Sequence, residues 1–542
     1  MRRAIFHFIN SHTLFVEIFI GTILVLAMGF VVGTKTVSHD YFFFDEADYM
    51  YAVHQGVANN YLDRGAIPFG HFLKMGFSKG RHKGNNKDLS DYIRSSGDIS
   101  FYRHYHGPLY FYWLSLGNVF GFRTEASYRW LGYSLVFALI VLMIAGLYSA
   151  TDSKDLSTIL LGPLMLVMSY TVRYTFSQLT PHAIYLVTSL ATLIFSALYL
   201  KTNNRKYHYL CMISIGLSFL SIEYAILLAI TIVLTLWLFR AKLFRGWDLL
   251  KMARFAGISL AFFLVPIISL WPSGIFKCTL IKDYLFFAYF ALVRGDAYGT
   301  DSFWTAWYNR MAAAPMEYSI IIITLFLTPL ILRKKVINIP FLIYAILIII
   351  TMFRNNSPIP NYVSSLMPCL FFISSQAVGI IFQRLKKPAD ATPFAVILVA
   401  LAALNNPVLA LNTEGPFQKS PANAIIDAIK AENKHSRVLV PRGYIMALHF
   451  YFPDRPFITY AENIDRIRSI DSLAIKEQCS GIIYEGTNAA SLENMLSLRV
   501  SFQPDTLACS VSGGKMIFYH LSNNPEKQQF LPEVSPIVSK SR

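Results

Sequence analysis

Residues Tyr41-Phe42-Phe43-Phe44-Asp45-Glu46-Ala47-Asp48-Tyr49-Met50 place three acids directly behind an apolar run long enough to cross a membrane. Carboxylates where a transmembrane helix meets water are costly unless paired or solvated, so their default reading is functional. A carboxylate in that position can accept a proton from an attacking hydroxyl. Asp45 and Glu46 are therefore taken as the chemical centre. The purely structural alternatives are an N-cap for Asp45, with the helix beginning at Glu46, and a first-turn acid favoured by the helix dipole for Glu46. Asp48 reads as a solvated face.

The elements that must position these acids follow from composition. The chain has 542 residues, 54% hydrophobic and 15% charged. Its mean hydropathy of +0.43 is well above what a soluble domain keeps in water. This is the composition of a polytopic α-helical membrane protein. The net charge of +16 comes mostly from Lys and Arg in short loops between apolar runs, which reports topology and argues against a nucleic-acid partner. The first run, about 12–32, lacks a small-residue cleavage site and reads as a retained helix. Met1-Arg2-Arg3 places the amino end in the cytoplasm, and basic clusters at Asn203-Asn204-Arg205-Lys206, Arg240 to Arg254, Arg333-Lys334-Lys335 and Arg384-Leu385-Lys386-Lys387 mark further inner loops. Arg129 opens the second crossing, and the alternation closes at about eleven crossings of the roughly 30 Å hydrocarbon layer.

Residues 1–411 thus form a transmembrane domain, with a first outer loop over 35–126 that begins at the acids. There Phe44, Ala47, Tyr51 and Ala58 fall near one face of an interfacial helix. From 412 to 523 the character changes. Runs at 437–440, 456–460, 481–484 and 515–519 read as strands alternating with helical patterns at 421–433 and 462–476, a small extracytoplasmic α/β domain. Residues 524–542 form a polar, loose tail. The five cysteines have no metal-ligand spacing, and Cys479 and Cys509 could pair if the tail lies outside the cytoplasm. No Walker loop, dinucleotide fingerprint or nucleophile elbow is present.

This topology collects Asp45, Glu46, Asp48, His104, His106, Arg129, Arg173, Gln178, His182, Glu223, Arg294, Asp296, Asp301, Arg310 and Arg354 on the outer face. Charges at membrane depth persist when they line a wet cavity and pair there. The expected object is a polar pocket with acids able to act as a base and arginines able to hold phosphate. A carboxylate beside such arginines stays ionised at neutral pH. The combination suits transfer from a phosphorylated lipid.

The order Asp45-Glu46, His106-Gly107-Pro108-Leu109-Tyr110, Gly121 and Arg129 resembles the opening signature of the C-type glycosyltransferase superfamily. Within it, the chain is similar to the branch holding protein O-mannosyltransferases and bacterial lipid A aminoarabinose transferases. Arg354, Tyr362 and Pro368 look like that family's late Arg/Tyr/Pro segment at wider spacing. The chain departs from the pattern with His-Gly-Pro where a Pro-Pro pair is usual. It also has Gln178 to His182 where relatives often place an Asp, and Glu223 where some have a Lys.

The resemblance implies transfer of a sugar from a polyprenyl-phosphate donor to a hydroxyl of a lipid, glycan or protein on the outer face. Transfer would proceed with inversion, Asp45 acting as general base and Glu46 standing beside it. Arg129, Arg294, Arg354 and Tyr362 are the candidates for donor phosphate, with His106, His182 and Glu223 as further active-site candidates. Each has a bland counterpart: arginines snorkelling to headgroups, an aromatic-belt tyrosine, and buried pairing for Glu223 and His182. Arginines that hold a leaving phosphate need no metal, and no metal or cofactor is expected. The expected location is a bacterial inner membrane with the C-terminal domain in the periplasm. Three competing readings remain: a transporter or flippase of lipid-linked sugars, a ligase or polymerase of cell-surface glycans, and a scaffold whose outer domain binds a partner. The transporter reading predicts internal repeats and helices broken at mid-membrane, and the sequence shows neither clearly.

Overall fold

The computed structural model describes residues 2–42, 45–57, 106–150, 156–276, 336–352, 360–385, 421–431, 437–441, 444–455, 457–460, 477–486, 501–506 and 515–522, with scattered positions at 280–322, 470, 474 and 492. The chain divides into two compact units, Met1–His39 with Tyr49–Thr413, and Asp40–Asp48 with Glu414–Arg542. They are called here the membrane unit and the C-terminal unit.

Besides short helical turns, the helices in chain order are α1 (Arg2–Thr36), α2 (Asp45–Gln55), α3 (Leu109–Val119), α4 (Glu125–Tyr133), α5 (Leu135–Ala150), α6 (Leu156–Met168), α7 (Tyr170–Ser177), α8 (Pro181–Thr202), α9 (Arg205–Phe219), α10 (Ala225–Leu238), α11 (Leu249–Leu270), α12 (Ile339–Met352) and α13 (Leu366–Leu385). Among the described residues, four segments are long and apolar enough to span a membrane: Phe15–Thr36, Glu125–Ala150, Pro181–Thr202 and Leu249–Leu270. Shorter apolar helices lie at Ala225–Leu238, Ile339–Thr351 and Leu366–Ala377. The protein is an integral membrane protein. The crossings expected at about 314–333 and 393–411 lie largely or wholly outside the described residues, as does the tail 524–542.

The helix ends follow from their residues. Thr124 caps α4 by accepting from the Ser127 amide, so the second crossing opens at Glu125 and Arg129 lies one turn inside it. Thr180 caps α8, Pro181 supplies its first turn, and Asn203 ends it in the left-handed conformation at φ 54°. The basic loops do more than report topology. Lys201 Nζ donates to the carbonyls of Ser149 and Ala150 at 3.2 Å, and Lys242 Nζ donates to Leu200 O at 2.8 Å, so both satisfy orphan carbonyls at helix C-termini.

Helix α8 is the centre of the membrane unit, packing on α5, α9, α10 and α12. Lipid tails are as apolar as Leu, so association rests on fit and on interhelical hydrogen bonds worth about 0.6–2 kcal/mol each. Tyr185 and Tyr344 share such a bond at 2.6 Å between α8 and α12, and Phe341 stacks on Phe372 at 4.1 Å between α12 and α13. Gly216 lets α9 approach α11 so closely that a Cβ would stand 2.4 Å from Phe263 O.

The segment expected as the third crossing is not one straight helix: α6 and α7 meet at a bend of 55°. This corrects the sequence reading, in which no broken helix was evident. The physical reason is Ser169, whose extended backbone stops α6 and whose Oγ accepts from the Val172 amide to start α7. Freed backbone groups at membrane depth must find partners inside the protein. Here the Thr171 N–H donates to Glu317 Oε2 at 3.3 Å, and Ser169 Oγ donates to Glu317 Oε1 at 2.9 Å.

The C-terminal unit holds a five-stranded sheet of β1 (Val438–Pro441), β2 (Phe457–Tyr460), β3 (Gly481–Gly486), β4 (Ser501–Thr506) and β5 (Lys515–Ser522), in the order β2-β1-β3-β5-β4. The first three are parallel, while β5 runs antiparallel to β3 and to β4. Alternate residues build two cores, one on each face. Leu439, Ile482, Ile517 and Tyr519 enter one, and Val438, Val440, Ile483, Met516 and Phe518 enter the other. Helices α14 (Pro421–Ala431) and α15 (Ile445–Tyr451) supply Ile425, Ile426, Ile429 and Leu448 to the second core. Strand β4 was not legible in the sequence. Its segment Ser501-Phe502-Gln503-Pro504-Asp505-Thr506 is poor in branched residues and contains a proline, which a strand tolerates at a sheet edge.

Cys479 is a free, buried thiol beside this sheet, and Cys509 lies outside the described residues. Burial pushes the Cys479 thiol up to about 11, with Glu477 adding to the shift and Arg437 opposing it. The thiolate is the reactive species, so Cys479 is expected to resist maleimide at pH 8 in the native protein and to label on denaturation. Site-resolved mass spectrometry checks this, and rapid native labelling would contradict it.

Candidate active site

The candidate residues divide between the two units. Asp45, Glu46 and Asp48 belong to the C-terminal unit, and His106, Arg129, His182 and Glu223 to the membrane unit. Helix α2 starts at Asp45, so Asp45 is its first helical residue and not an N-cap before Glu46. Glu46 is buried. The buried residues of and just beyond α2 include Ala47, Met50, Val53 and Val57, while Tyr51 is only half-buried and Phe44 and Ala58 lie outside the described residues.

In the membrane unit, the turn between α9 and α10 gathers two of the histidines. His106 Nδ1 stands 3.1 Å from Glu223 Oε2, and the His182 ring lies 6.0 Å from that of Tyr224. Glu223 is buried and His106 is 24% exposed, so the pair presents its imidazole side to solvent. Tyr49 covers that ring edge-on at 6.2 Å and in turn rests on Phe111 at 5.4 Å. The approach of the two segments is a backbone matter. The Leu109 N–H donates to Leu220 O at 2.9 Å, and a Cβ on Gly107 would stand 2.2 Å from the carbonyl carbon and oxygen of Leu220. Glycine is required here for close approach, which accounts for His-Gly-Pro at this position.

Arg129 is buried in the second turn of α4 and donates from Nη1 to Ser38 O at 3.1 Å. It is therefore not a headgroup-snorkelling side chain. A guanidinium is a planar fork of five donors, a geometry that suits a phosphate. Arg294 and Arg354, with His104, Asp296, Asp301 and Arg310, lie outside the described residues. Tyr362 sits in a 3-10 turn over Pro360–Val363.

One group went unnoticed in the sequence. Glu317 is buried, holds the break at Ser169, and stands near Arg173, which is buried one turn into α7. Arg173 Nε donates to Ser169 O at 3.4 Å, and its Nη2 has no hydrogen-bond partner among the described residues. Arg173 was among the outer-face charges read from the sequence. Glu317 could have been found by the rule applied to Asp45, since it is an acid at the start of an apolar run.

No family model matches the chain, and no curated relative does. Solved structures do match. ArnT from Cupriavidus metallidurans bound to undecaprenyl phosphate superposes with a TM-score of 0.54 at 12% identity, over 92% of this chain and 97% of that one. The apo state of the same protein gives 0.51 at 13% identity over the same shares. An Archaeoglobus fulgidus oligosaccharyltransferase complex with Zn and sulfate gives 0.48 at 12% identity, covering 94% of this chain and 74% of that one. At such identity the likeness to ArnT speaks for the fold, and the chain has the fold of the C-type membrane glycosyltransferases.

Proposed function

We infer that this protein is a membrane glycosyltransferase that moves a sugar from a polyprenyl-phosphate donor to a hydroxyl. The observation that carries this reading is the match along nearly the whole chain to ArnT, a protein solved with undecaprenyl phosphate. The Asp45-Glu46 pair, placed by α2 soon after the first spanning helix, supports it from the residue side. In the proposed step the acceptor oxygen attacks the anomeric carbon as Asp45 takes its proton. The bond from that carbon to the phosphate oxygen breaks on the opposite side, and polyprenyl phosphate leaves carrying the electron pair. The configuration inverts. Arg129, with Arg294 and Arg354, is proposed to stabilise the charge that grows on the phosphate. His106 and Glu223 form a polar pair suited to orienting the sugar or the acceptor hydroxyl.

The transporter reading also has an observation in its favour, the bend at Ser169 with buried Glu317 and Arg173, because broken spans mark many transporter sites. A single experiment separates the two. Purified protein in sealed vesicles is offered a panel of radiolabelled polyprenyl-phosphate sugars with membrane extracts as acceptor. The transferase reading expects label covalently bound to an acceptor and free polyprenyl phosphate in equal amount. Label that crosses the bilayer with its donor intact would favour transport.

A further inference from the structure

We propose that the C-terminal unit positions the candidate base, holding the segment before Asp45 as a strap through Asn423 and Tyr451. The proposal rests on the reading of Asp45 as base. The chain leaves the membrane unit after His39 and returns to it at Tyr49, and the interval that carries the acids belongs with the C-terminal unit.

The anchoring is through the main chain. The Tyr41 N–H donates to Asn423 Oδ1 at 2.9 Å, and the Phe42 N–H donates to Tyr451 Oη at 2.7 Å. Asn423 also donates from Nδ2 to Asp40 Oδ1 at 2.5 Å, so one amide grips the strap at two residues. The Tyr41 ring packs edge-on against Tyr451 at 5.0 Å under the Lys430 ammonium at 4.2 Å, and Tyr41 Oη meets both Lys430 and Asp427. Asn423, Asp427 and Lys430 stand at i, i+4 and i+7, one face of α14.

Two successive backbone amides held by side chains fix backbone position, which a merely apolar contact would leave free to slide. Asp45 follows Phe42 by three residues, so chain connectivity keeps its Cα within about 10 Å of that of Phe42, and the strap fixes the point from which that reach is measured. A reacting group must be held far more closely than that, and a misplacement of about 1 Å costs on the order of 10²-fold in rate. The strap therefore acts with α2, and Asn423 and Tyr451 are positioning residues rather than catalytic ones.

The test uses the full chain in nanodiscs with the donor found active in the vesicle assay. Asn423→Asp keeps the acceptor for Tyr41 N–H but sets a carboxylate against Asp40, and Asp40→Asn with Asn423→Asp restores a donor and an acceptor in swapped places. The expected result is a kcat lowered about 10- to 100-fold in Asn423→Asp with donor KM within about threefold, recovered in the double variant. Tyr451→Phe, which removes the acceptor for Phe42 N–H and keeps the ring, is expected to lower kcat in the same sense. Unchanged kcat in both single variants, where Asp45→Asn is inactive, overturns the strap and leaves the base standing. Turnover that survives in Asp45→Asn removes the base, and the positioning role falls with it. If no donor is turned over, hydrogen exchange decides. Amides 45–50 should exchange faster in Asn423→Asp and regain protection in the double variant, and identical exchange overturns the proposal.

Discussion

Asp45→Asn is expected to lower kcat by about 10²- to 10⁴-fold, the usual contribution of a general base, while donor binding stays within a few-fold of the wild type. The substitution is close to isosteric and leaves the start of α2 with a side chain still favoured at helix termini, so the folded yield should hold. What it removes is the capacity to take the acceptor proton. Asp45→Glu keeps that capacity but carries the carboxylate one methylene further, and a displacement of about 1 Å is worth on the order of 10²-fold, which places it between the two. Transfer kinetics at equal folded protein, with donor binding measured separately, check the ordering. Equal turnover in wild type and Asp45→Asn would remove Asp45 from the mechanism and return weight to Glu46, which is buried on α2.

Gly107→Ala is expected to damage both stability and transfer. Its Cβ would meet the Leu220 carbonyl carbon and oxygen at 2.2 Å and the Leu220 Cα at 2.6 Å, and backbone cannot swing aside as a side-chain tip can. Overpacking of this kind costs about 1–3 kcal/mol. The displaced loop would also stretch the Leu109 to Leu220 hydrogen bond and separate His106 from Glu223, and leaving a buried hydrogen-bonding group without its partner costs about 1–3 kcal/mol more. His106 keeps some exposure, so the low end of that range applies. A clear drop in apparent melting midpoint and a loss of transfer of at least about 10-fold should follow. Gly121→Ala is the control. Gly121 has φ +71° with open space around it, so its substitution costs about 1–2 kcal/mol of backbone strain and leaves the site in place. A Gly107→Ala protein as stable and active as Gly121→Ala would show that the two backbones do not meet as described.

Much of the architecture is local in origin and was therefore legible. Apolar length and flanking charge place the spans at Phe15–Thr36, Glu125–Ala150, Pro181–Thr202 and Leu249–Leu270, because a membrane helix satisfies its own backbone and needs only about 20 apolar residues. The strands at 438–441, 457–460, 481–486 and 515–522 were visible as short branched runs, since a strand buried on both faces must be apolar at every position. The acids at Asp45 and Glu46 stood out because charge beside a span is rare. The break at Ser169 was missed because nothing within the run marks it: serine is ordinary in a membrane helix, and the acid that holds the break lies 148 residues away.

The sequence by itself determined that this chain is a membrane-spanning helical protein with acids at one helix mouth and short apolar strands alternating with helical patterns near its end. Only the tertiary structure decided which groups meet. His106 and Glu223 are 117 residues apart, Ser169 and Glu317 148, Tyr41 and Asn423 382. Periodicity and run length encode what each segment buries, a property of neighbours in the chain. Side-chain pairing across such separations depends on how the packed elements are arranged, and a local pattern carries no record of that.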